Sequence, residues 1–337
     1  MLDNPHLIDW AITNRCNLKC VHCRGMAQEE LDSETLLSVA EEIPALNPGW
    51  VILEGGEALL RDELWDIIDI LHRRGIRLYL ISNGMLLNRM SVERLAESAV
   101  RLMISIDGAD RGSYESTRIG ASFSRLRESV ALAGEFGILD SCPVTIGKHN
   151  LHEVSNIFRF VKELGYSKIT ILGLKPCQNY SEYALTGAQY RELFKELIGL
   201  RESVGMDMYV DEPFFKPFLL EEGISFEREA EDGILVPDLS RCVFGEYIFI
   251  ETDGAVRPCT FAPVSMGSVK GSTLTALWKE MQDSQLVSEV RDRERRSGAC
   301  RICRHIDDCG GCRSRAFALT GSWTASDPSC PLKGNTN

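Results

Sequence analysis

Cys16-Asn-Leu-Lys-Cys20-Val-His-Cys23 puts three thiols on eight residues, directly behind the first apolar run at 7–13. Three thiolates on one tight loop can hold three irons of a [4Fe–4S] cluster and leave the fourth iron open to a ligand from outside the chain. A zinc site would want a fourth protein ligand. His22 lies between two of the cysteines, where its ring is expected to point away. The chain has 12 cysteines, and their distribution is uneven. Three lie at 16–23, Cys142 and Cys177 stand alone, and seven lie at 242–330. The N-terminus has no signal-peptide pattern, so the expected location is the cytoplasm. Disulfides are reduced there, and clustered cysteines read as metal ligands.

The cysteine-poor middle alternates short apolar runs with amphipathic stretches. Strands are expected at 7–13, 50–55, 77–83, 101–107, 142–147 and 168–174, and helices at 33–43, 62–74, 91–98, 123–136 and 151–165. Apolar residues recur every three or four positions in the helices. Ser33 and Ser91 are the expected N-caps, and Gly75, Gly137 and Gly165 the expected stops. Six strand–helix units imply an α/β fold with a parallel sheet and right-handed crossovers, a partial (β/α)6 TIM-like barrel. Ligands of such sheets sit at the C-terminal strand ends. We assign 1–210 to this barrel and 211–240, with Pro213, Pro217 and Pro237, to a connector. The second domain is 241–337: a hairpin turning at Asp253-Gly254, a short helix and cysteine-rich loops. It has too little apolar periodicity for a core of its own, and metal clusters would supply the missing stability.

Net charge is −12. No basic patch marks a nucleic-acid binder; the RDRERR stretch at 291–296 reads as a solvated helix end. No apolar run approaches the roughly 20 residues of a membrane span.

The triad's spacing and its place after the first strand resemble the radical S-adenosylmethionine (SAM) superfamily. Glu54-Gly55-Gly56-Glu57 after the second strand looks like that family's Gly-Gly-Glu motif, with Ala58 where Pro is usual. The resemblance implies that Gly55, Gly56 and Glu57 meet the amino group of SAM. Paired glycines let backbone approach a ligand closely. Asn83 ends the third strand and is a further cofactor-binding candidate. By the same resemblance Ser105 and Asp107, at the fourth strand end, contact the ribose; the plainer reading is that both cap loops. Lys148 and Asn150 read as a solvated loop. The family uses SAM to make a 5′-deoxyadenosyl radical that abstracts hydrogen.

The C-terminal set, Cys242, Cys259, Cys300-x2-Cys303-x5-Cys309-x2-Cys312 and Cys330, exceeds one zinc ribbon. It resembles the SPASM domain, which carries auxiliary clusters. That resemblance assigns Cys300, Cys303, Cys309 and Cys330 to a distal cluster, and Cys242, Cys259 and Cys312 to a nearer one. Three [4Fe–4S] clusters and SAM are therefore the expected cofactors. The last spacing is one residue shorter than in many members, which bears on Cys312. The nearer cluster's fourth ligand is open, with Cys177 a candidate; Cys142 reads as a buried strand residue. No catalytic side chain is assigned.

Auxiliary clusters suit a net oxidation or oxidative decarboxylation. The tail from Cys309 to Cys330 looks like the heme-biosynthesis branch, which implies a porphyrin-type substrate. A peptide-modifying maturase is the alternative, although no peptide-recognition domain precedes Cys16. A non-enzyme iron–sulfur carrier is the third reading, and it would need neither the Gly-Gly-Glu nor the barrel. A reductant such as flavodoxin or ferredoxin is implied, and neither nucleic acid nor membrane.

Overall fold

Along β3 (Trp50–Glu54) and β4 (Leu78–Ser82) every second side chain is buried. Val51, Leu53, Leu78 and Leu80 pack outward against the helices, and each such burial stabilises by roughly 1.5–3 kcal/mol. The alternate residues, Trp50, Ile52, Tyr79 and Ile81, are only partly buried and line the inner face. That half-open inner face is what an incompletely closed barrel leaves. The computed structural model describes residues 2–25, 29–176, 181–224 and 241–332.

The other barrel strands are β1 (Leu7–Ala11), β5 (Arg101–Ile104), β7 (Ser141–Ile146), β8 (Lys168–Gly173) and β9 (Asp207–Asp211). β2 (Lys19–Cys20) and β6 (Arg118–Ile119) form a separate antiparallel pair. Helices α1 (Ser33–Glu42), α2 (Leu64–Arg73), α3 (Arg89–Glu97), α4 (Arg111–Thr117), α5 (Phe123–Glu135), α6 (Val154–Glu163) and α7 (Gly187–Val204) cover the outside. β1, β3, β4 and β5 run parallel in that order. A bridge from Leu102 to Leu139 carries the sheet on to β7, β8 and β9, again parallel. The sequence predicts six units, and β9 is a seventh parallel strand whose charged ends hid its short apolar centre.

Asp32, not Ser33, caps α1 by accepting from the Thr35 N–H. Asn88 caps α3, with Ser91 the third helical residue of its capping box. In both cases the cap sits upstream because its side chain must reach the N–H three positions on. Gly75, Gly137 and Gly165 stop their helices with φ of 73°, 66° and 91°.

The C-terminal part contains α8 (Phe215–Glu221), β10 (Ile248–Ile250), β11 (Val256–Arg257), α9 (Leu274–Asp283), α10 (Gln285–Arg291) and α11 (Arg313–Thr320). It is continuous with the barrel sheet, because β10 pairs parallel with β1 at Ile8, Asp9 and Trp10. The hairpin loop is longer than a two-residue turn: Glu251 and Ala255 close it around Thr252, Asp253 and Gly254. Gly254, at φ 87°, takes the left-handed position. Pro217 sits in the first turn of α8, where a proline is tolerated. Phe214, Phe215, Phe218 and Leu219 around it are buried, so the start of the expected connector is core. Among the described residues no helix is long and apolar enough to cross a membrane.

Candidate iron–sulfur and cofactor site

The N-terminal triad is held by pairing and by charge. Cys20 lies in β2 opposite Arg118 of β6, whose guanidinium reaches its Sγ (3.9 Å). Cys16 Sγ accepts from the Leu18 N–H (3.4 Å) and lies 3.9 Å from Asn83 Nδ2, which also donates to Asn17 Oδ1 (2.8 Å). Asn83 thus sits directly beneath the loop. Burial pushes the Cys20 thiol up to about 11, and the Cys23 and Cys16 thiols beside it add to that. Three thiols grouped in this way suit a polycationic group, which takes its sulfurs as thiolates.

Beneath them Asp107 is completely buried. Its carboxylate accepts from Arg118 Nε (2.7 Å) and the Thr145 N–H (2.7 Å), and His22 Nε2 lies 3.2 Å away. Burial opposes its charge, yet Arg118 and His22 hold the carboxyl well below the usual range. Both oxygens have protein partners, Oδ2 in Arg118 and His22 and Oδ1 in the Thr145 N–H. Its role is to anchor Arg118 and His22, and through them the cysteine loop. His22 points inward to this carboxylate and stacks on His149 (5.5 Å). Burial and His22 push His149 down to about 4. Asn150, read as a solvated loop residue, is buried and donates to the Asp107 carbonyl (3.2 Å). Sequence reasoning missed Arg118 and His149; nothing in their local pattern marks either.

Gly55 and Gly56 let two loops touch. The Gly56 N–H donates to the Thr13 carbonyl and the Glu57 N–H to the Arg15 carbonyl, each at 2.8 Å. A Cβ on Gly55 or Gly56 would run into Thr13 or Arg15 backbone. Gly55, at φ 153°, also adopts a backbone that disfavours any side chain. Glu57 is buried, and its carboxylate accepts from Ser82 Oγ (2.9 Å), the Asn83 N–H (2.8 Å) and the Leu59 N–H (3.3 Å). That carboxylate is held at the end of β4. Ser105 is half-buried at its strand end, its N–H bonded to the Ser82 carbonyl (3.1 Å).

The seven C-terminal cysteines separate into a four and a three. Cys300, Cys303, Cys309 and Cys330 all line one small cavity, walled by Phe214, Ile306 and Leu332. Within this set Cys309 feels the charges of Cys330 and Cys300, and Cys330 those of Cys300 and Cys303. Cys242 instead acts on Cys259 and on Cys312. Backbone N–H groups aim at the sulfurs: Gly311 at Cys309 (3.2 Å), Phe261 at Cys259 (3.5 Å) and Arg315 at Cys312 (3.4 Å). Neutral thiols accept weakly, whereas cluster-bound sulfur takes such bonds and is tuned by them. On this donor set the residues fit iron–sulfur clusters. Among the described residues no three His, Cys, Asp or Glu side chains close on one point. Cys177 lies outside the described residues. Cys142 is a fully buried β7 residue whose Sγ meets the Ile104 carbonyl (3.5 Å).

Comparison with known proteins agrees with this geometry. The radical SAM superfamily model matches residues 10–161, and the SPASM model, an iron–sulfur cluster-binding domain, matches 242–310. An AdoMet-dependent heme synthase of Methanosarcina barkeri is 28% identical, over 98% of this chain and 97% of that protein. The mycofactocin maturase MftC of Mycobacterium ulcerans is also 28% identical, over 98% and 88%. Among solved structures, anSMEcpe with bound AdoMet and a peptide superposes with a TM-score of 0.74 at 19% identity, covering 96% of this chain and 93% of that one. The domain pair implies SAM and more than one [4Fe–4S] cluster as cofactors. The chain belongs to the radical SAM superfamily and is one of its enzymes, with a SPASM domain at its C-terminal end.

Proposed function

We propose that this enzyme oxidatively decarboxylates propionate side chains of an iron-porphyrin precursor of heme. The observation that carries this reading is similarity along nearly the whole of both chains to a protein named AdoMet-dependent heme synthase. When bound, SAM and its cluster supply a carbon-centred radical that removes hydrogen from unactivated C–H bonds. The chain's own part is to hold the cysteine loop through Arg118, Asp107 and His22, and to keep a half-open apolar face toward the substrate. Trp50, Ile52, Tyr79, Ile81, Met103 and Leu172 line that face, and flat apolar walls suit a macrocycle. Each propionate would lose one hydrogen atom, carbon dioxide and one electron to become a vinyl group. That electron needs an acceptor, which is the use we assign to Cys300, Cys303, Cys309 and Cys330 and to Cys242, Cys259 and Cys312, as ligands of two auxiliary clusters. Cys16, Cys20 and Cys23 are the SAM-cluster ligands in this reading. Gly55, Gly56, Asn83 and Ser105 border SAM, and Glu57 braces the motif. Flavodoxin or ferredoxin would be the reductant, in the cytoplasm, with no nucleic acid involved.

The second reading is a peptide maturase, which the equal identity to MftC favours. Anaerobic enzyme, SAM, a reductant and iron-coproporphyrin III separate the two. Formal loss of carbon dioxide and two hydrogen atoms per side chain, read by mass spectrometry, is the expected result. Release of 5′-deoxyadenosine with unaltered porphyrin would sink the heme reading.

A further inference from the structure

Five arginines line one cavity of about 200 Å³, in a chain whose formal net charge is −12. It lies where the two C-terminal cysteine sets meet: Cys242 and Cys309 both stand in its wall, and the Cys242 N–H donates to the Cys309 carbonyl (3.2 Å). Three of the arginines have side-chain partners. Arg241 is bidentate to Glu246 (2.5 and 2.7 Å), Arg293 reaches Asp307 (2.7 Å) and Arg291 reaches Gln282 (3.2 Å).

Arg296 and Arg313 differ from those three. Arg296 is 3% exposed, and among the described residues its side chain donates only to the Asp292 and Val290 carbonyls, with its Nε buried and unpartnered. Arg313 is 0% exposed, and among the described residues its side chain donates only to the Gly311, Trp323 and Ala325 carbonyls, with one terminal nitrogen buried and unpartnered. Neither forms an ion pair among the described residues. A guanidinium keeps its proton at ordinary pH, so two buried positive charges stand side by side without a carboxylate. Such charges are strongly destabilising unless an anion compensates them. Glu246 in the same wall is taken by Arg241, which leaves the sulfurs: Cys242 and Cys309 stand in that wall, and Cys242 of one set and Cys300 of the other favour the charged form of Arg296.

We propose that Arg296 and Arg313 form a cationic wedge shared by the two auxiliary cluster sites, and that it holds the reduction potentials of both clusters up. A reduced cluster carries one more negative charge than an oxidised one, so a fixed positive charge nearby favours the reduced form. Burial keeps that effect from being screened by salt. The wedge would therefore make both clusters better acceptors for an electron leaving substrate. This inference rests on the reading that the seven cysteines hold clusters, and it goes beyond that reading in naming what tunes them.

The test is an EPR-monitored redox titration of the anaerobically reconstituted holoenzyme, with Arg296→Gln and Arg313→Gln each set beside Arg296→Lys and Arg313→Lys. The Gln variants should titrate at lower potential in both auxiliary signals. The signal that changes on adding SAM should stay where it is. The Lys variants, which keep the charge, should lie close to wild type. Unmoved auxiliary potentials in a fully loaded Gln variant would overturn the wedge, and so would a Lys variant shifted as far as its Gln counterpart. If the Gln variants fail to take up auxiliary iron, loading of the Lys variants decides. Loaded Lys variants support the charge, and equal failure assigns the arginines to packing. Wild-type enzyme that holds only about four irons in total would instead remove the cluster reading itself.

Discussion

One guanidinium nitrogen of Arg315 donates to both carboxylate oxygens of Glu212, at 2.7 Å each, and so ties α11 to the end of β9. Arg315 also reaches Asp327 (3.2 Å) and lies between the rings of Tyr190 and Phe214, 5.0 Å from each. Lys175 Nζ approaches the same Glu212 (3.3 Å). Burial opposes the charge on Glu212, yet Arg315 and Lys175 hold its carboxyl below the usual range. Every member is buried, so the cost of removing one is large.

Glu212→Ala should therefore destabilise the loaded enzyme by about 3–5 kcal/mol, the usual cost of stranding a buried charge. Denaturant unfolding measures it. Pairing Glu212→Leu with Arg315→Met should recover much of the loss, because the two sites are coupled. A double variant as unstable as the sum of the singles would show that the pair does not act as a unit.

Replacing Cys16, Cys20 and Cys23 together by Ala should remove about four of about twelve irons. The Cys20→Ala variant should release no 5′-deoxyadenosine from SAM, whereas reduced wild type releases it slowly even without substrate. Equal release from both would exclude the triad as the cleaving site.

Cys303→Ala should keep SAM cleavage and lose product formation in protein that stays soluble with about eight irons. Only the N-terminal loop is needed to break the C–S bond, while the distal set serves the electron that leaves substrate. Wild-type product rates in that variant would make the distal cluster structural.

Asp9 gives stability an alkaline penalty. It faces the barrel interior, where Oδ2 accepts from Thr260 (2.8 Å) and Oδ1 is buried without a partner. Burial pushes its carboxyl well up, and the charge of Glu54 adds to that. A raised folded value means that the folded state binds the proton more tightly, so stability is full below about pH 4 and falls as pH rises toward the raised value. Asp9→Asn should melt higher than wild type at pH 8, and the gap should close toward pH 4. A gap that is the same at both pH values would refute this.

What could be read without the structure was short-range. The Cys16–Cys20–Cys23 spacing, the strand–helix alternation and the turn at Gly254 each depend on neighbours a few positions away, and local periodicity records such features directly. The helix stops at Gly75, Gly137 and Gly165 were legible for the same reason. The division of the C-terminal cysteines came from resemblance, since spacing alone would pair Cys309 with Cys312.

The features that tertiary structure decided all join residues far apart in the chain. Ile248 pairs beside Ile8 and makes the C-terminal hairpin part of the barrel sheet. Asp107 ends its strand in the sequence, and only the fold shows that Arg118 returns in β6 to pair with it. Glu57 is claimed by Ser82 and Asn83 in the same way. The 291–296 stretch reads as uniformly solvated. Packing separates Arg295, at the surface with Glu289, from Arg296, turned inward beside Arg313. Charge and residue type are properties of the chain, but whether a charge meets water, a carboxylate or a sulfur depends on which distant segment packs over it.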